Sequence, residues 1–128
     1  MREYCNTTLF ASLPDEIKNI IKPVNKISDG GYYNQTLKTT SDKIWVPSDA
    51  ELNGEIYGSV VMGQGAPYAL YTNADSRIKA NKVAGINLYW TRSTGNNPHY
   101  WRYVDMNGNI NNNGAGSFLY GVCWGFCV

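Results

Sequence analysis

Apolar positions along this chain change their period, from helical spacing near the start to strand alternation near the end. Leu13, Ile17, Ile20 and Ile21 recur at i, i+4, i+7 and i+8, one apolar helical stripe. Ser12 is placed to cap that helix through Pro14, Asp15 adds negative charge to its first turn, and Pro23 ends it. A first helix is expected from about Arg2 to Thr8, although Asn6, Thr7 and Thr8 are weak helix formers. Residues 24–40 show no period and read as irregular, with Asp29-Gly30-Gly31 as the clearest turn. Lys43 to Val46 reads as a short buried strand stopped by Pro47. Ser48-Asp49-Ala50-Glu51 is a capping-box pattern that opens a turn or two of helix before Gly54.

Ile56 to Met62 has strand-like content, and Gly63, Gly65 and Pro67 break any regular element after it. Asp75 to Ala80 reads as a short helix or a surface arm. From Ile86 to Arg92, Ile86, Leu88 and Trp90 alternate with Asn87, Tyr89 and Thr91, a strand pattern. His99 to Met106 and Asn109 to Asn112 flank Asn107-Gly108, the strongest hairpin signal present. The last strand is expected from Gly121 to Val128, with Val122, Trp124 and Phe126 on one face and Cys123, Gly125 and Cys127 on the other. Strand phase places Trp90 and Trp124 in the core. No repeat or linker divides the chain, so residues 1–128 are expected to form one domain.

Composition narrows the function. Charged residues make up only 16% and the formal net charge is +1, without the basic footprint of a nucleic-acid binder. A hydrophobic content of 43% is that of a folded domain, and no apolar run approaches the roughly 20 residues needed to span a bilayer. No apolar stretch follows Met1-Arg2-Glu3-Tyr4, so no signal peptide is expected. The three cysteines cannot all pair within one chain; Cys123 and Cys127 would lie too far apart along a strand to bridge, and reduced thiols are expected.

Chemistry concentrates near the end. Three of the four tryptophans fall from Trp90 onward, among asparagines, glycines and few charges. Tyr and Trp give large contact area at low entropy cost, and Asn, Ser and Gly add adaptable hydrogen bonds, the composition of a displayed binding surface. The candidates are Asn96, Asn97, His99, Tyr100, Trp101 and Tyr103 in one loop and strand. Asn107, Asn109, Asn111, Asn112, Asn113, Phe118 and Tyr120 lie in the next. Alternation turns at least one of Tyr100 and Trp101 outward, either to anchor a ligand by stacking or to pair across the hairpin. Asp105-x-Asn107-x-Asn109-x-Asn111 imitates a calcium loop, but Gly108 stands fourth rather than sixth and Gly116 occupies the position of the bidentate acid. His99 is the single histidine, and no nucleophile–base set or phosphate loop accompanies it.

Four stretches resemble a known family. Arg2-Glu3-Tyr4-Cys5-Asn6 with Leu9-Phe10 is similar to its opening helix, and Tyr32-Tyr33-Asn34 with residues 39–48 to its central loop, strand and helix start. Tyr89-Trp90-Thr91-Arg92-Ser93 matches an aromatic-aromatic-x-Arg-Ser strand; Tyr103-Val104, Gly108 and Gly121-Val122 match the end. Together they resemble a bacterial and phage domain of unknown function related to the formylglycine-generating-enzyme type of C-type lectin fold. The resemblance implies an α+β fold, two short helices against a small twisted, mostly antiparallel sheet with long irregular loops. Phage tail-fibre receptor binders and the variable proteins of diversity-generating retroelements share that fold. In the latter, a C-terminal stretch is rewritten at adenine-containing codons, which favours Asn and Tyr.

The implied function is non-catalytic binding of a bacterial cell-surface protein or glycan, on a phage tail or bacterial surface after synthesis in the bacterial cytoplasm. The alternative is an assembly module packing its aromatic face on sister tail subunits, as a homo-oligomer. Arg92 is implied to be a structural anchor, tied to loop carbonyls or to an acid such as Asp105. The sugar-binding signatures Glu-Pro-Asn and Trp-Asn-Asp are absent, and Cys123-Trp124-Gly125-Phe126-Cys127 replaces the family's usual Arg-Pro. Formylglycine-generating enzymes bind copper through a cysteine pair, but the spacing here differs. No catalysis, metal, cofactor, nucleic acid or membrane is expected.

Overall fold

The computed structural model describes residues 1–34, 36–54, 63–79, 87–114 and 120–128. The chain opens with a helix, α1, over Arg2–Tyr4, which continues as a wider π-helical stretch over Cys5–Leu9. Asn6 lies in that stretch and spends its whole amide on holding it. Its Nδ2 donates to Arg2 O, Asp42 Oδ1 and Ile44 O, and its Oδ1 accepts from the N–H groups of Lys43 and Ile44. Four of these bonds reach residues 42–44, so a residue with weak helix propensity is fixed by tertiary contacts.

Ser12 closes this first helix rather than capping the next, because its hydroxyl donates back to Leu9 O at 2.7 Å. The next helix, α2 over Asp15–Ile20, has Pro14 at its N-cap and no side-chain cap. Ile21 is buried and Leu13 packs on the cluster Cys5, Ile44 and Val46, whereas Ile20 at the helix end stays exposed.

Residues 24–40 are not irregular throughout. β1 over Val24–Ser28 pairs antiparallel with β2 over Lys38–Asp42, with Val24 opposite Asp42 and Ser28 opposite Lys38. Most of the ribbon is half-buried or exposed, so no apolar face exists for a period-two pattern to reveal. The expected strand at Lys43 to Val46 is reduced to Trp45, bridged through two backbone bonds to Gly125. The capping box forms as its sequence implies. Ser48 Oγ accepts from the Glu51 N–H and Glu51 Oε2 from the Ser48 N–H, opening α3 over Asp49–Asn53. Gly54 ends it at φ 72°, a left-handed conformation that suits glycine. A single turn, α4 over Ala74–Arg77, is capped reciprocally by Asn73 and Ser76.

The larger sheet has the order β5-β4-β3-β6, from β3 Tyr89–Thr94, β4 Tyr100–Val104, β5 Ile110–Gly114 and β6 Gly121–Val122. β3, β4 and β5 are antiparallel, and β6 runs parallel to β3. One face packs Tyr89 and Val104 on Leu52 of α3, with Tyr71, Ile110 and Cys123 around them. The opposite face carries Trp90, paired with Tyr103, and Trp101, paired with Asn113. Trp90 opposes Tyr103 while Thr94 opposes Trp101, so β3 holds two extra residues between these pairs. That irregularity frees Arg92 from the ladder, and its N–H donates to Pro47 O at 3.0 Å.

The final strand is two residues long, not eight. Beyond it the chain leaves the sheet, and Gly125 and Cys127 bridge to Trp45 and Lys22. Trp124 is therefore not a core residue: it is 37% exposed and stacks on Phe126 at 6.0 Å. Strand alternation stopped assigning its side once pairing stopped. The described residues form an α+β architecture, with short helices and two sheets. Among the described residues, no helix is long and apolar enough to cross a membrane. The strand expected at Ile56 to Met62, residue Ile86 and the candidate Phe118 lie outside the described residues.

Candidate ligand-binding cleft

Arg92 organises the region where the two sheets meet. Its Nε and Nη2 donate to Ile27 O at 3.2 and 3.1 Å, Nη2 also to Gln64 O at 2.8 Å, and Nη1 to Val46 O at 2.9 Å. The remaining Nη1 bond goes to Glu51 Oε2. The acid that holds Arg92 is thus Glu51 of the capping box, not Asp105, and no guanidinium N–H is left over for a ligand. Glu51 Oε1 accepts from Lys26 Nζ at 2.9 Å. Lys26 Nζ also donates to Tyr68 Oη at 2.6 Å and lies 4.0 Å from the centroid of the Trp45 ring. Burial pushes the Glu51 carboxyl up, but Arg92, the Ser48 N–H and Lys26 together outweigh it and hold the group below its ordinary value.

A second ion pair lies on the core side of the sheet. Asp49 and Arg102 are 0% and 2% exposed, and Arg102 Nε donates to Asp49 Oδ2. Thr91 Oγ1 donates to Asp49 Oδ1 at 2.8 Å, and the Asp49 N–H donates to Ser93 Oγ at 3.0 Å. Burial raises the Asp49 carboxyl above its usual range despite Arg102. Sequence reading missed this pair, because an acid in the first turn of a helix looks like a solvated dipole partner. The pairing of Arg102 within the alternating strand Tyr100–Val104 was the available signal.

A cleft of about 660 Å3 opens on the other face. The large sheet supplies Trp90, Arg92, Thr94 and Trp101; the β1–β2 hairpin supplies Lys26, Asp29, Lys38 and Asp42; the first helix supplies Arg2 and Cys5. Its carboxylates are already engaged. Asp29 Oδ2 accepts from Gln64 Nε2 at 2.7 Å and Thr94 Oγ1 at 2.9 Å, and its Oδ1 from the Gly31 N–H at 3.1 Å. Asp42 accepts from Arg2 Nε at 2.6 Å, Asn6 Nδ2 at 3.3 Å and Thr40 Oγ1 at 2.7 Å. Burial lifts the Cys5 thiol above its usual value. Trp101 is 41% exposed, and among the described residues its ring has no aromatic or cationic partner.

The candidate residues do not form one patch. Asn96, Asn97 and His99 are exposed in the β3–β4 turn, where Asn97 Oδ1 accepts from the His99 N–H. Asn107 and Asn109 are exposed at the opposite end of β4, and both donate backbone N–H groups to Asp105 Oδ1. Asp105 Oδ2 accepts from Asn111 Nδ2 at 2.8 Å, so this carboxylate is occupied by its own turn. Among the described residues, no group of three or more His, Cys, Asp or Glu side chains is placed to hold a metal. Tyr100 is 41% exposed and lies across the strand from Trp101. Tyr103 turns inward to a ring cluster, 6.0 Å from Trp90 and 4.8 Å from Tyr120, and Tyr120 is 4.5 Å from Trp90. Asn113 Nδ2 donates to Tyr120 Oη, while Asn112 Oδ1 is buried on the Arg102 side of β5. Of all these, Trp101 enters the cleft directly, beside Trp90 and Arg92. Lys26, Lys38 and the hairpin carrying them were not expected there, because their segment reads as irregular.

Comparison with curated proteins and with solved structures returns no match. A family model does match, over residues 1–128. The chain belongs to the DUF6273 family, described as a domain of unknown function.

Proposed function

We propose that this chain is a non-catalytic recognition domain of C-type-lectin-like fold that binds a surface-displayed receptor, as on a phage tail or bacterial surface. The carrying observation is Trp101, a half-exposed indole with no ring partner among the described residues, on a cleft whose polar walls are fixed from behind. A large aromatic at the mouth of a preorganised cleft contributes binding area without the cost of ordering loops. The cleft carboxylates accept internal hydrogen bonds on both oxygens, an arrangement that suits rigidity better than proton transfer.

Fluorescently labelled domain and its Trp101→Ala variant, applied to a panel of intact bacteria, test this reading. Strain-selective staining that the folded variant loses is the expected result. Undiminished staining by the variant would remove the cleft from the account. Tyr103→Ala is a poor probe, since its ring is a packing partner of Trp90 and Tyr120.

A further inference from the structure

The charges of the cleft are unevenly spent. Four cationic side chains line it, Arg2, Lys26, Lys38 and Arg92, against two lining carboxylates, with Glu51 behind them as a third. One positive charge is in excess. Lys26 and Arg92 share Glu51, and Arg2 is paired through Nε with Asp42, its Nη1 making no bond among the described residues. Lys38 is exposed, at the start of β2, and its ammonium has no hydrogen-bond or ion-pair partner among the described residues. The unspent groups of the cleft are therefore a cation on the hairpin side and an indole face on the sheet side.

From this pairing we infer that the ligand is an acidic sugar, its ring stacked on Trp101 and its carboxylate or sulfate directed to Lys38, with Arg2 Nη1 as a further donor. The inference rests on the cleft being the binding site. An indole face suits the flat apolar side of a pyranose ring, and a flexible ammonium suits a point charge approached from solvent. A volume of about 660 Å3 lies within the range of small-ligand pockets and is lined mainly by apolar surface with a few polar groups. Asp42 is neutralised by Arg2, and the charge of Asp29, which is held by neutral donors, is offset by the excess of Lys26 and Arg92 over Glu51. Arg92 holds the sheet and hairpin together but has no donor to offer.

The test titrates the intact chain with cellouronate tetrasaccharide, with neutral cellotetraose of the same linkage, and with an aspartate-rich peptide. Tryptophan fluorescence and the indole N–H signals in NMR are the readouts. Cellouronate should bind and shift the Trp101 indole signal, more weakly as salt rises. Lys38→Gln should lower its affinity about fivefold, and Trp101→Ala about tenfold. Lys22→Gln, at an exposed lysine outside the cleft, should leave it unchanged. Both cleft variants are expected to keep the wild-type far-UV spectrum, since neither side chain holds another element. Equal, Trp101-dependent binding of cellotetraose, indifferent to Lys38→Gln, would overturn the acidic class and leave the cleft standing as the site. Preference for the acidic peptide would overturn the sugar. No response of the Trp101 signal to any of the three would overturn the inference, while the cell-staining comparison independently decides the cleft.

Discussion

Replacing Arg92 by lysine keeps the charge and removes the fork, and so separates the two things this residue does. The guanidinium satisfies the carbonyls of Ile27, Val46 and Gln64 and one oxygen of Glu51. A lysine ammonium can retain Glu51 but cannot reach three divergent carbonyls together. Gln64 O keeps the Ser48 hydroxyl as a donor, so the loss falls on the carbonyls of Ile27 and Val46, at about 1 kcal/mol each, or about 2 kcal/mol in all. Arg92→Met should cost about 3–5 kcal/mol, because it also leaves the buried Glu51 to Lys26 alone. For a chain of this size a loss of 1 kcal/mol lowers Tm by roughly 3–6 °C, so Arg92→Lys should melt about 10 °C early. Urea denaturation of both variants, with a double-mutant cycle against Glu51→Gln, measures these values. An Arg92→Lys protein within about 0.5 kcal/mol of wild type would refute the reasoning.

Four further outcomes are expected. Glu51 is held below its ordinary pKa, so the stability it contributes is present above its unfolded value of 4.5 and lost as pH falls through the lower folded value. Glu51→Gln should therefore flatten the acid limb of a stability–pH curve below about pH 4.5. Asp49, raised by burial, acts in the opposite sense and favours the fold as pH falls. Even so, Asp49→Asn should destabilise by about 3 kcal/mol in urea melts at pH 7, because it strands the buried Arg102 charge. Gly108 has φ 77°, and a Cβ there would lie 1.9 Å from Ala74 O, so Gly108→Ala should cost about 2–4 kcal/mol by the same melts. In the folded protein a thiol reagent should modify the exposed Cys127 quickly, and the buried Cys5 and half-buried Cys123 only after denaturant is added.

How far the fold was legible depended on whether a local signal had a local cause. Ser48, Glu51 and Gly54 announced α3 because capping and left-handed termination are settled within seven residues. Asn107-Gly108 marked a real turn, although Asp105 organises it by accepting from Asn107, Asn109 and Asn111. The β1–β2 hairpin left no trace, since Lys38, Thr39, Thr40, Ser41 and Asp42 carry no apolar alternation and gain their order from partners 10 to 18 residues earlier. With the hairpin hidden, half of the cleft was hidden too, including Lys38. The aromatics were visible as a class but not by role. Tyr103 and Trp101 sit two apart on one strand face, and one packs on Trp90 while the other meets solvent, a difference that only neighbouring strands decide. Arg92 carried a structural reading from its strand, yet its acid partner came from 41 residues earlier in the chain.

The claim that recognition occurs in the cleft, rather than at the asparagine-rich turns, is tested most directly by paired variants in one cell-staining experiment. Trp101→Ala alters the cleft, and Asn107→Ala alters an exposed turn at the far end of β4. Loss of strain-selective staining with Trp101→Ala, and its retention with Asn107→Ala, is the predicted result. Staining that survives Trp101→Ala and disappears with Asn107→Ala would contradict the account and move recognition to the turns.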